Sequence, residues 1–198
     1  MTDDKQRLEP SIGDQYDDIP LKMHVPQLEF IYRLKCEMAK ENDMVGAAFG
    51  GTNIRIVMPI LGGTVRGPQI SGIIQERSGA DWGTAVQGTG YMRLDARYTL
   101  KTDDGHCIYV QSKGIFSPMD KTFLANGDPD TMSQKDVEWF TRLEFETGQG
   151  PYNWMNGLFA IGVLGMDDRR IVIDAYRLTN FPGSRLISSL ARQDSTKL

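Results

Sequence analysis

Residues 91–114, YMRLDARYTLKTDDGHCIYVQSKG, decide the fold. In the first arm Met92, Leu94, Ala96, Tyr98 and Leu100 share one face, while Tyr91, Arg93, Asp95, Arg97 and Thr99 share the other. A period of two marks a strand with one oily and one wet side. Asp103-Asp104-Gly105 follows, and Asp-Gly supplies the positive φ that a tight hairpin needs. The second arm alternates again, with Cys107, Tyr109 and Gln111 against His106, Ile108 and Val110. The stretch therefore reads as a β-hairpin. Its Arg93, Asp95 and Arg97 face is either a solvated ladder or the polar wall of a pocket, and function turns on which.

Outward from the hairpin the same pattern recurs. Residues 27–38 alternate, with Leu28, Phe30, Tyr32, Leu34, Cys36 and Met38 on one side. Further strands are expected at 52–61 and 64–76, separated by Gly62-Gly63, with Pro59 and Pro68 marking edges or bulges. Others are expected at 141–148, 157–165 and 170–179, the last two joined by a turn at 166–169. Residues 78–90, SGADWGTAVQGTG, read as a glycine-rich loop carrying Asp81 and Trp82. Ser133 as an N-cap predicts one short helix over 134–140. Strand runs joined by tight turns predict an all-β fold, an antiparallel β-barrel of about eight to ten strands. Closure of such a sheet leaves an interior that can hold one small molecule. The division expected is an acidic, loosely ordered arm over 1–26, a barrel domain over 27–179 and a tail over 180–198.

Composition removes several functions. The 198 residues are 40% hydrophobic and 24% charged, ordinary values for one globular domain. The net charge of −4 comes from residues 1–20, which hold six acids and two bases, so the rest is formally neutral. A neutral body without a basic stripe argues against nucleic acid as a partner. Cys36 and Cys107 lie among apolar neighbours and read as buried free thiols. There is no leader-like hydrophobic core at the start and no membrane-length run, so a cytoplasmic protein without a membrane partner is expected. His24 and His106 are the only histidines, and no phosphate loop or dinucleotide fingerprint is present. The expectation is a protein that works without metal or cofactor.

Three motifs occur in order: Gly79-Ala80-Asp81-Trp82, then Leu94-Asp95-Ala96-Arg97-Tyr98 with Asp104-Gly105, then Phe145-Glu146-Thr147-Gly148 with Tyr152, Trp154 and Asn156. In this the chain resembles the uncharacterised family of domain of unknown function 3237, over roughly residues 26–178. The resemblance implies a single β-barrel, often paired as a homodimer, and it implies no particular activity. Ser78 stands where the family usually has glycine before GADW, and the acidic arm and the 115–135 connection are longer than usual.

The candidate site follows from these stretches. Asp81 either accepts a hydrogen bond from a ligand or acts as base, with Trp82 a stacking surface at a barrel mouth, or the pair is a turn carboxylate capping backbone amides beside a core tryptophan. Arg97 would hold a carbonyl, enolate or carboxylate of the ligand if its face turned inward; if Met92 and Leu94 line the interior, Tyr98 is the pocket residue instead. Tyr152, Trp154 and Asn156 fall at i, i+2 and i+4, on one side of an extended segment, and either face a ligand or form a packed aromatic corner closing the barrel end; Tyr109 adds a further ring. Glu144 and Glu146 share a strand face and read as solvated. The catalytic candidates are thus Asp81 and Arg97, with Trp82, Tyr98, Tyr109, Tyr152, Trp154 and Asn156 binding a hydrophobic substrate. The function expected is a cofactor-independent enzyme that directs cyclisation or isomerisation of an apolar molecule, such as a hetero-Diels–Alder cycloaddition. The alternatives are a lipocalin-like carrier and an isomerase or hydrolase using Asp81 as base.

Overall fold

The computed structural model describes residues 23–119 and 130–184. Most of the arm expected over 1–26, the tail beyond 184 and residues 120–129 of the long connection lie outside the described residues. Ten strands form one antiparallel sheet. They are β1 (Gln27–Met38), β2 (Asp43–Ala47), β3 (Asn53–Arg66), β4 (Ser71–Ile74), β5 (Gly79–Val86), β6 (Met92–Thr102), β7 (Cys107–Pro118), β8 (Val137–Thr147), β9 (Ala160–Asp167) and β10 (Arg170–Thr179).

The sheet runs β1-β10-β9-β8-β7-β6, and β4 and β5 then both bridge β6 to β3. Pairing of β1 with β3, from Arg33↔Arg66 to Met38↔Ile60, brings the ring back on itself. This barrel-like closure spares the sheet most of its free edge. The core is the inner face. Along β8, Val137, Trp139, Thr141, Leu143 and Phe145 are all buried while the residues between them are exposed. The opening hairpin behaves the same way, with Leu94, Tyr98 and Leu100 buried against Ile108 and Val110 of β7. Its turn closes through the Gly105 N–H on the Thr102 carbonyl at 2.9 Å, with Gly105 at φ +93°.

Several local expectations need correction. Residues 78–90 are not a loop: most of them form β5, paired on both sides with β3 and β6. Gly88 and Gly90 take positive φ in the turn that follows the strand, but Gly79 serves close approach. A Cβ on Gly79 would lie 1.7 Å from the Arg97 carbonyl oxygen. Nor is 134–140 a helix. Ser133 Oγ donates to Asp136 Oδ2 at 2.8 Å and Asp136 accepts the Ser133 N–H at 2.9 Å, so the capping pair closes a turn and β8 starts at Val137. Helical structure among the described residues is limited to two 3-10 turns, Ala48–Gly50 and Asn153–Gly157. Gly62-Gly63 do not divide two strands, because β3 runs through them while pairing with β1 and β4 at once. Residues 39–51 contain β2 as well as a connection. In β1 a bulge between Phe30 and Tyr32 shifts the register, leaving Leu28 and Phe30 exposed and Ile31 buried beside Tyr32. Cys36 is buried, whereas Cys107 is exposed on the outer face of β7.

Candidate functional site

The inner face does not pack solid. A cavity of about 40 Å³ lies inside the ring, walled by aliphatic and sulfur side chains that include Leu34, Cys36, Met38, Ile60, Leu164 and Ile173. Five polar side chains reach it: Asp81 from β5, Tyr98 from β6, Ser112 from β7, and Trp139 and Thr141 from β8. Small residues make the space. Ala96 lies between Asp81 and Ser112 in the ladder, and Thr141 lies between Gly114 and Gly162. A Cβ on Gly162 would sit 2.6 Å from the Thr141 hydroxyl, so only glycine leaves that group room to face inward.

Asp81 enters the cavity because it is opposite Ala96 on the inner face. Its Oδ1 accepts the Asp95 backbone N–H at 2.9 Å. The β5–β6 ladder skips Trp82 and Gly83 here, and Arg55 donates to the Trp82 carbonyl from β3. Burial dominates the carboxyl's chemistry. It pushes the pKa from 3.8 up to about 6; the Asp95 N–H pulls it down, the Asp95 charge adds to the rise and Arg55 opposes it. A carboxyl with that value exchanges a proton readily near neutral pH. Burial also pushes the Cys36 thiol up to about 12, so Cys36 is an inert wall and not a nucleophile.

Several other polar groups of this region are unpaired. Trp139 Nε1, Thr141 Oγ1, Tyr98 Oη and Tyr32 Oη are buried without a hydrogen-bond partner among the described residues. Tyr32 and Tyr98 are near enough to influence each other's ionisation, yet neither meets hydrogen-bond geometry, and burial pushes both phenols up. Each such group costs about 1–3 kcal/mol relative to a satisfied one, and native proteins keep few of them. Three of them, on Tyr98, Trp139 and Thr141, line the one cavity, which makes it the candidate site.

The predicted site residues divide. Asp81 and Tyr98 are brought together in the cavity. Arg97 lies outside: it is paired with Asp95 at 3.2 Å, its side chain is 46% exposed and its guanidinium stacks over Trp82 at 5.9 Å. The solvated-ladder reading of that face is therefore the one the structure carries. Trp82 is exposed on the outer face of β5, and Tyr109, half-buried, faces outward opposite Glu146. Tyr152, Trp154 and Asn156 are not on an extended segment. They flank or occupy the 3-10 turn Asn153–Gly157, where spacing by two does not put side chains on one side. Tyr152 donates to Asp104 at 2.9 Å and packs beside His106, and Trp154 packs against the core. Asn156 accepts the Thr147 N–H at 2.8 Å and donates to the Thr147 carbonyl at 3.0 Å. Together they form a clasp between the hairpin tip and the end of β8. Trp139, Thr141 and Ser112 were missed as site residues, although period-two counting from Val137 would have put Trp139 and Thr141 on the core face.

Fold and site define a small antiparallel barrel with an inward-facing polar cluster. The chain belongs to the family described as "Protein of unknown function (DUF3237)", whose profile matches residues 26–178. A UPF0311 protein of Rhodopseudomonas palustris is 34% identical over 142 residues, covering 71% of this chain and 90% of that protein. Among solved structures, the conserved protein of unknown function from Rhodopseudomonas palustris aligns at TM-score 0.70 and 29% identity, over 79% of this chain and 99% of that one. A beta-barrel like protein from Acinetobacter baumannii AYE aligns at TM-score 0.66 and 32% identity, over 83% and 100%. An enzyme from Penicillium herquei shares the fold at TM-score 0.57 and 20% identity, over 81% and 99%. No helix among the described residues is long and apolar enough to cross a membrane.

Proposed function

We propose that the barrel interior binds the reactive end of a hydrophobic small molecule and isomerises it by proton transfer through Asp81, without a cofactor. The observation that carries this is a half-buried carboxyl, raised to a pKa of about 6, lining an apolar cavity. As a base, the Asp81 carboxylate takes a proton from a carbon next to a carbonyl. The electron pair moves onto the carbonyl oxygen, where the hydrogen-bond donors of Tyr98 and its neighbours stabilise the enolate. The carboxylic acid then returns the proton to a different carbon, so mass is unchanged and no oxidant is needed. Positioning by the oily wall adds to the rate. That a barrel of this fold from Penicillium herquei is an enzyme supports catalysis on such a scaffold.

Cyclisation by cycloaddition is supported less well. It needs a folded substrate enclosed whole, and enclosing sites of that kind run to several hundred Å³, against about 40 Å³ here. The test uses cyclopent-3-enone in ²H₂O. Conversion to cyclopent-2-enone with deuterium incorporation, lost in Asp81→Asn, is the expected result. Binding without exchange would instead make the barrel a carrier.

A further inference from the structure

We propose that Trp139 and Thr141 on β8 form a seat for an uncharged oxygen acceptor, so that the ligand of this barrel is a neutral carbonyl compound and not an acid or a hydrocarbon. The inference deepens the proton-transfer reading and takes its cavity from it, but it concerns recognition alone.

The two side chains are two residues apart on the inner face of β8, and both are more than nine-tenths buried. Trp139 is held edge-on against Phe116, with ring centroids 5.2 Å apart, so its indole plane is fixed by packing. Its Nε1–H can only donate, and among the described residues nothing accepts from it. Thr141 adds a hydroxyl that can donate as well, held inward by the glycine opposite it. A hydrocarbon would leave both donors unpaired, and that penalty falls on the complex. The charge of the cavity rules out the other class. No lysine or arginine lines it, and Asp81 brings negative charge into it. A carboxylate or phosphate would therefore lose its hydration, meet a second anion and gain no counter-ion. Water is the competing occupant. At about 10–15 Å³ each, roughly three waters fill the same space and would satisfy the same donors.

The experiment follows the indole N–H resonances of the ¹⁵N-labelled full chain, with Trp139 assigned by its loss in Trp139→Phe. Cyclopentanone, methylenecyclopentane and cyclopentanecarboxylate are titrated separately at pH 7.5. The expected result is a downfield shift of the Trp139 N–H with cyclopentanone and at least tenfold weaker binding of methylenecyclopentane. Cyclopentanecarboxylate should give no shift. In Thr141→Val, which keeps the shape of the side chain, the ketone preference should fall several-fold, and Asp81→Asn should retain it. Equal binding of ketone and hydrocarbon, best binding of the carboxylate, or no response to the ketone at tens of millimolar because water keeps the seat would each overturn the proposal. A ketone preference without deuterium exchange would leave this inference standing and remove the proton-transfer reading; exchange without the preference would do the reverse.

Discussion

The cavity and the clasp use similar residues to opposite ends. Both combine aromatic rings with polar tips, and in the sequence the clasp residues Tyr152, Trp154 and Asn156 looked the more like a ligand site. In the structure Tyr152 and Asn156 put their polar atoms on Asp104, Thr147 and Asn153. The cavity residues Trp139, Thr141 and Tyr98 leave theirs unmatched. A polar group satisfied by its own chain holds the fold, whereas one kept buried and unsatisfied is a cost that folding alone does not explain.

Substitutions can break or sharpen this contrast. The largest effect is expected at Asp81. Asp81→Asn keeps an oxygen for the Asp95 N–H but removes the proton carrier, so isomerisation should fall by about 10²- to 10⁴-fold. The same variant should change stability with a definite sign. Folding raises this carboxyl's pKa from 3.8 to about 6, so the native state holds the proton more tightly than the unfolded chain. Stability should therefore fall as pH rises from about 4 to 6 and level off above, by on the order of 3 kcal/mol. Urea denaturation across pH 4–7 should show that slope in the wild type and lose it in Asp81→Asn, which becomes the more stable protein at pH 7.

The clasp should respond next. Asn156→Ala removes the side-chain hydrogen bonds to Thr147 and Asn153, and should cost about 1–2 kcal/mol in chemical denaturation while leaving ketone binding unchanged. Thr141→Val should do the converse: stability unchanged or raised by up to about 1 kcal/mol, because an unpartnered buried hydroxyl is lost, with weaker ligand preference. The smallest effect belongs to Arg97→Ala. Its exposed pair with Asp95 is screened by water, so thermal denaturation and turnover should both match the wild type.

How much of this was legible depends on where period two survives. The hairpin of β6 and β7 and the span of β1 could be read directly, because one face of each is buried and alternation is then enforced. Tyr98 was found for that reason, whereas Asp81 was singled out from its place beside Trp82 in a stretch read as a glycine-rich loop. The β5 stretch was obscured by its glycines, which signal loops by composition, although here Gly79 admits a neighbouring strand's backbone and Gly83 the Met58 and Met92 side chains. The start of β8 was obscured by Ser133, whose capping chemistry serves a turn as readily as a helix. That one misreading hid Trp139. The bulge in β1 reversed Leu28 and Phe30, and such a slip leaves no mark in residue spacing.

The carboxyl carbon of Asp81, followed by ¹³C NMR through a pH titration, tests the centre of this account. A midpoint near 6, moved by addition of cyclopentanone, is the result it predicts. A midpoint near 3.8 that ignores the ketone would show a hydrated surface carboxylate and contradict it.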